Sequence, residues 1–99
     1  MTRIQLQDST DFLDFREGSG GTVEIYNIQV GSERRVGRGS LLLRLLIAQV
    51  RGQTHLIFAL TRQSNSIAQE FYRAVGFRQL AVLPGFYSDE NAVMYGLNV

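Results

Sequence analysis

From residue 22 to residue 61 the chain passes through four stretches in a fixed order. An alternating segment, TVEIYNIQV (22–30), enters the glycine- and arginine-rich turn GSERRVGRGS (31–40). A nearly unbroken apolar run, LLLRLLIAQV (41–50), follows, and then a second one, HLIFALT (55–61). This order constrains the fold more than any other feature. A period of two is that of a strand, and it puts Glu24, Tyr26, Ile28 and Val30 on one face and Val23, Ile25, Asn27 and Gln29 on the other. The apolar run predicts a largely buried helix over about 38–51, ending near Gly52. HLIFALT suits a strand covered on both faces, as parallel strands usually are. Together they form a βαβ unit, whose crossover should be right-handed.

The remaining segments extend this unit. Thr2–Gln7 alternates weakly and reads as a strand, DFLDFRE (11–17) as another, and GSGG (18–21) turns the second into a hairpin with 22–30. A second helix starts around Ser64–Ser66, where Ser66 and Gln69 have capping-box spacing, and stops at Val75 with Gly76 beyond its end. FRQLAVL (77–83) is a strand that Pro84-Gly85 breaks, and AVMYGLNV (92–99) closes the sheet. Residues 1–99 therefore form one α/β domain with a mixed sheet, of a size that supports a single core.

Composition removes several classes of function. All ten basic residues are Arg, which excludes every Lys-dependent mechanism. With nine acidic residues the net charge is +1, so no general attraction to nucleic acid or to acidic membranes is expected. There is no Cys, and His55 is the single His, so thiolate chemistry is excluded and a metal site is not expected. No apolar signal region or membrane-length span is present, and a cytoplasmic location is expected.

The turn is where chemistry is expected. It lies where a strand becomes a helix, and the first helical N–H groups have no internal partner. Gly37 and Gly39 leave the backbone bare for an anion, while Arg34, Arg35 and Arg38 supply charged donors. A dinucleotide fingerprint fails, because its third Gly would fall at Leu42 and its acidic residue where Thr61-Arg62 stands. A nucleotide-hydrolase phosphate loop fails for want of Lys. The plainer reading is a glycine-rich turn flanked by solvated Arg.

Several motifs resemble one family. Arg34-x-x-Gly37-x-Gly39 is similar to the Gln/Arg-x-x-Gly-x-Gly/Ala loop of the GCN5-related N-acetyltransferase (GNAT) superfamily. IYNIQV resembles its splayed fourth strand, NSIAQEFYRAVGF (65–77) resembles its N-x-x-A-x-x-L/F-Y-x-x-x-G-F signature, and GFYSDENAVMYGL resembles its tail before the last strand. The match runs in order from Thr22 to Val99. Typical members carry a strand and one or two helices ahead of the early hairpin that wall the acceptor pocket; here only 21 residues precede Thr22. The resemblance thus implies a GNAT-like fold that is N-terminally abbreviated, with a complete cofactor half and a reduced acceptor half that a homodimer could complete.

The resemblance implies acetyl-CoA as co-substrate and transfer of its acetyl group to a small-molecule or peptide amine by direct attack. Ile28, Gln29 and Val30 would bind the pantetheine arm through main chain, and Arg34, Arg35, Val36, Gly37, Arg38, Gly39 and Ser40 would hold the pyrophosphate. Asn65 would bond the cofactor arm, although Asn is equally a favoured helix cap. Tyr72 would be the acid that protonates the leaving thiolate, against a buried aromatic that merely touches the cofactor. The ribosomal-protein branch uses a strand Glu as base, and its position here is Leu60. Glu24 lies where histone-type members carry theirs, against a solvated strand-end charge. Phe86, Tyr87 and Asp89 fall on the loop that lines the acceptor site in relatives, while His55, Arg44, Arg51, Arg73 and Arg78 read as structural or solvated. The alternative to catalysis is a CoA-binding module or regulatory subunit without turnover.

Overall fold

A computed structural model describes residues 1–7, 9–30 and 37–99. The elements are β1 (Thr2–Gln5), β2 (Phe12–Glu17), β3 (Thr22–Gln29), α1 (Arg38–Val50), β4 (Leu56–Arg62), α2 (Ser66–Ala74), β5 (Arg78–Tyr87) and β6 (Glu90–Asn98). They build a six-stranded sheet in the order β1-β2-β3-β4-β6-β5. β3 and β4 run parallel, and the other neighbours are antiparallel.

Both crossovers travel the same way across the sheet, so right-handed connections place both helices on one face. The core shows it. Leu42, Leu43, Leu46 and Val50 of α1 and Tyr72 of α2 form one buried cluster with Leu13, Phe15, Val23, Ile25, Ile57, Ala59, Val93 and Tyr95 of the sheet. The expectation that β4 is covered on both faces is corrected. Ile57, Ala59 and Thr61 are buried beneath the helices, whereas Leu56, Phe58 and Leu60 point to the other face and are half-buried.

The strict alternation expected for β3 is also corrected. Asp14 pairs with Asn27, but Phe15 pairs with Ile25, so Tyr26 is an extra residue with no partner in β2. This bulge shifts the pleat by one residue. Val23 and Ile25 face the core before it, and Ile28 and Val30 pack against the same core after it. Glu24 stays on the opposite face, where it bonds Arg16.

α2 ends as its sequence implies. Gly76 has φ +102, which a side chain disfavours. Its N–H bonds the Arg73 carbonyl, the Phe77 N–H bonds the Tyr72 carbonyl, and the Tyr72 and Phe77 rings lie 5.1 Å apart. α2 starts within the expected Ser64–Ser66, with Asn65 as its N-cap, but the capping box expected at Ser66 is corrected. Gln69 reaches back to the carbonyls of Arg62 and Gln63 instead of closing a box with Ser66. Pro84-Gly85 does not end β5, which continues to Tyr87 with a shift in pairing between Leu83 and Tyr87. β5 is an edge strand, where a missing N–H is tolerated.

Leu46 is fully buried between α1 and the sheet. Leu46→Ala is expected to lower the unfolding free energy by about 3 kcal/mol, read as a lower midpoint in urea.

Candidate cofactor-binding groove

β3 and β4 are paired only from Thr22/Leu56 to Ile25/Ala59. Beyond that point β4 continues against β6 as far as Arg62, while β3 continues against β2 as far as Gln29. The two strands have parted, so the far half of β3 keeps a row of main-chain groups with no β4 partner. The extra residue at Tyr26 sits where they separate, and a bulge bends and twists the strand that carries it.

A groove of about 750 Å³ lies against this edge. Ile28, Gln29 and Val30 form one side, Gly37, Gly39 and Ser40 at the start of α1 form its end, and Asn65, Ile67, Ala68, Phe71, Tyr72, Ala74 and Val75 of α2 form the other wall. The wall from α2 follows from the helical period, since residues 68, 71, 72 and 75 recur on one face. No carboxylate lines the groove among the described residues.

Gly37 is the N-cap of α1 with φ +102, and a Cβ built there would meet nothing within 4 Å. Only backbone freedom explains Gly at this point. The first intrahelical bond runs from the Leu41 N–H to the Gly37 carbonyl. The helix has no side-chain cap and no acidic residue in its first turn. The N–H groups of Arg38, Gly39 and Ser40 therefore have no partner among the described residues, at the positive end of the helix dipole.

Gly39 has a second reason to be Gly. A Cβ there would come within 2.6 Å of the Phe71 ring, so its bare backbone lets α2 close against α1. The Arg38 side chain does not line the groove. Its guanidinium pairs with the buried Asp11 carboxylate between β1 and β2, which ties the start of α1 to the first hairpin. Asp11 opens the stretch expected as a strand and lies one residue before β2; nothing local in the sequence marks it for burial. Arg34, Arg35 and Val36 lie outside the described residues.

Asn65 lines the groove while its Oδ1 accepts the Ala68 N–H at 3.1 Å. The cap thus uses the oxygen and leaves the Nδ2 hydrogens for another acceptor. Tyr72 is 4% exposed, and burial raises its phenol well above the ordinary tyrosine range. Its hydroxyl makes no hydrogen bond among the described residues, yet no buried side-chain oxygen is both sealed and unpartnered. The hydroxyl therefore keeps some exposure, and Tyr72 lines the groove. The Tyr72 ring stacks on that of Tyr95, with centroids 6.1 Å apart. Tyr95 is in turn held by Arg73, which donates to its hydroxyl at 2.7 Å, and by Gln69, which accepts from it at 3.2 Å. Arg73 is thus engaged rather than solvated.

Glu24 does not join the groove. It pairs with Arg16 at 3.3 Å on the face away from the helices. Asp89 pairs with Arg62, whose guanidinium lies 4.4 Å from the centre of the Tyr87 ring. Phe86 is exposed beside them. His55 is exposed on the loop before β4, with its N–H on the Gly21 carbonyl. Among the described residues no helix is long and apolar enough to cross a membrane, and no group of His, Cys, Asp or Glu is placed to hold a metal ion.

The profile of the FR47-like protein family matches residues 15–83, more than half of the chain. No curated protein matches. Among solved structures, Ard1 from Thermoplasma volcanium is 30% identical, with a TM-score of 0.79 over 90% of this chain and 62% of its own. The ribosomal-protein-S18-alanine N-acetyltransferase from Escherichia coli is 25% identical, with a TM-score of 0.75 over 95% of this chain and 65% of its own. A GNAT family acetyltransferase from Elizabethkingia anophelis with acetyl-CoA bound is 17% identical, with a TM-score of 0.83 over 96% of this chain and 72% of its own, a likeness that speaks for the fold. The chain thus spans less than two thirds of the length of the first two. With its parted parallel strands, uncapped first helix and matching family profile, the chain belongs to the FR47-like family of the GNAT superfamily and has the GNAT acyltransferase fold.

Proposed function

We propose that the groove binds acetyl-CoA and that the protein transfers the acetyl group to an amine. The observation that carries this reading is the convergence of three things on one groove: unpaired amides at the start of α1, an unpaired strand edge, and the Tyr72 phenol. Each suits a different part of a CoA thioester. The amides of Arg38, Gly39 and Ser40 suit the diphosphate. The free edge of β3 offers ladder bonds to the amide-bearing pantetheine arm, as an exposed sheet edge does to an added strand. A main-chain donor on that edge near Ile28 would also stabilise the oxyanion formed when an amine attacks the thioester carbonyl.

In that reaction the new C–N bond forms as the C–S bond breaks, and the sulfur leaves as a thiolate that must be protonated. Tyr72 is the group we assign to that sulfur, since it lines the groove. Its raised pKa keeps the phenol protonated throughout the neutral range, so the proton is always present. The same shift makes full transfer to a thiolate uphill, since an ordinary thiol titrates near pH 8.5. Tyr72 therefore acts as a hydrogen-bond donor to the developing negative charge and keeps its proton, while the thiolate takes up a proton from water as the product leaves. The amine loses its own proton to water, because no carboxylate of the described residues lines the groove and Glu24 is engaged with Arg16 on the other face.

That missing carboxylate favours a second reading, a CoA-binding module without turnover. The two readings share the ligand and differ in activity. Acetyl-CoA at about a hundred times its dissociation constant should stabilise the fold by about 2.7 kcal/mol, a rise in Tm of about 10 °C, under either. No shift would contradict both. Release of CoA in the presence of a panel of amines then separates them.

Two substitutions probe the parts. Tyr72→Phe is expected to lower kcat by about a hundredfold while changing CoA affinity by no more than about twofold, measured by steady-state kinetics and calorimetry. Gly39→Ala is expected to push Phe71 off α1, lowering both Tm and CoA affinity. Removing the ring in Gly39→Ala/Phe71→Leu should recover part of the affinity.

A further inference from the structure

α2 has nine residues, and Tyr72 is the one that is buried. A helix this short is marginal on its own, so its placement depends on how its ends are tied. The C-terminal end is held by Gly76 and Phe77. The N-terminal end is held by a residue outside the groove. Glu90, the first residue of β6, accepts the Ser64 N–H at 2.8 Å on Oε1 and the Ser64 Oγ–H at 2.9 Å on Oε2. Arg62 donates to the same carboxylate at 3.2 Å and to Asp89 at 2.8 Å. Asn91, the next residue of β6, accepts the Gln63 N–H on its carbonyl at 3.1 Å. Three consecutive residues ahead of the Asn65 cap are thus tied to Asp89 and to the first two residues of β6. The Ser64 hydrogen bonds, ahead of Arg62, hold the Glu90 carboxyl below the ordinary range, so it is charged at neutral pH.

We propose that Glu90 is a positioning residue that sets the N-terminal end of α2, and with it the wall of the groove from Asn65 to Tyr72, through its two bonds to Ser64. The inference rests on the groove being the CoA site. Asn91 also meets this loop, but only Glu90 grips a backbone N–H and a side-chain hydroxyl of one residue with a fixed charge. The turn that carries Asp89 and the loop that carries Asn65 are thus joined by hydrogen bonds.

The test is CoA titration by calorimetry on the whole chain, beside the ligand-free Tm. Glu90→Gln is expected to weaken CoA binding about tenfold with the ligand-free Tm lowered by less than about 4 °C, a shift within about 1 kcal/mol for a domain of this size. Ser64→Ala should also weaken it, Ser64→Thr should restore it, and the double variant Ser64→Ala/Glu90→Gln should bind no more weakly than Glu90→Gln alone. Glu70→Gln, which removes an exposed charge from α2 itself, should bind like the wild type. Should Glu90→Gln fail to fold, the Ser64 series carries the same comparison. Wild-type affinity in Glu90→Gln or Ser64→Ala overturns the proposal, as does a double variant whose losses multiply. A wild type that binds no CoA instead overturns the proposed function on which this one rests.

Discussion

One extra residue in β3 decides what this sheet can do. Had the β2–β3 ladder run without interruption past Tyr26, the pleat would have kept Ile28 and Val30 on the face away from the helices. The bulge turns them onto the core and bends the strand as it leaves β4. Pairing between the two parallel strands stops after Ile25 and Ala59, and a row of main-chain groups is left without a ladder. An edge in the middle of a sheet is costly unless something fills it, because main-chain polar groups need partners. In this fold the gap coincides with the groove, and under the proposed function the amide-bearing arm of CoA fills it.

The two helices complete the site by converging on that gap. Gly39 has no side chain, and Phe71 takes the space, so the wall from α2 closes directly onto the uncapped start of α1. Arg38 at the same point is spent on Asp11, which fastens the helix to the first hairpin. The positive character of the groove therefore comes from backbone amides and the helix dipole more than from Arg38. The Tyr72 ring is held from below by Tyr95, itself fixed by Arg73 and Gln69 from the same helix. A phenol fixed in this way reaches the groove at low entropic cost.

The order of elements was legible because each signal was local and strong: a period of two, a long apolar run, Gly76 past a helical pattern. Gly37, Gly39 and Tyr72, which line the groove, were singled out for a different reason, since their spacing carries a motif. What escaped was set by tertiary packing. No local rule places the bulge at Tyr26, so the face sets of β3 came out wrong beyond it, and Glu24 was grouped with Val30. A covered β4 was read from its apolar run alone, which cannot say on how many faces neighbours lie. Asp11 and Glu90 are ordinary polar residues in the sequence. Their roles exist only because the fold brings them to Arg38 and Ser64, 27 and 26 residues away.

The central claim is that the bare amides opening α1 and the parted edge of β3 together hold a CoA thioester. A crystal structure of the protein with CoA tests it most directly. The account predicts a diphosphate on the N–H groups of residues 38–40, a pantetheine arm bonded along Ile28 to Val30, and the sulfur within hydrogen-bond reach of the Tyr72 hydroxyl. A CoA bound elsewhere, with strand and helix mouth left free, would contradict it.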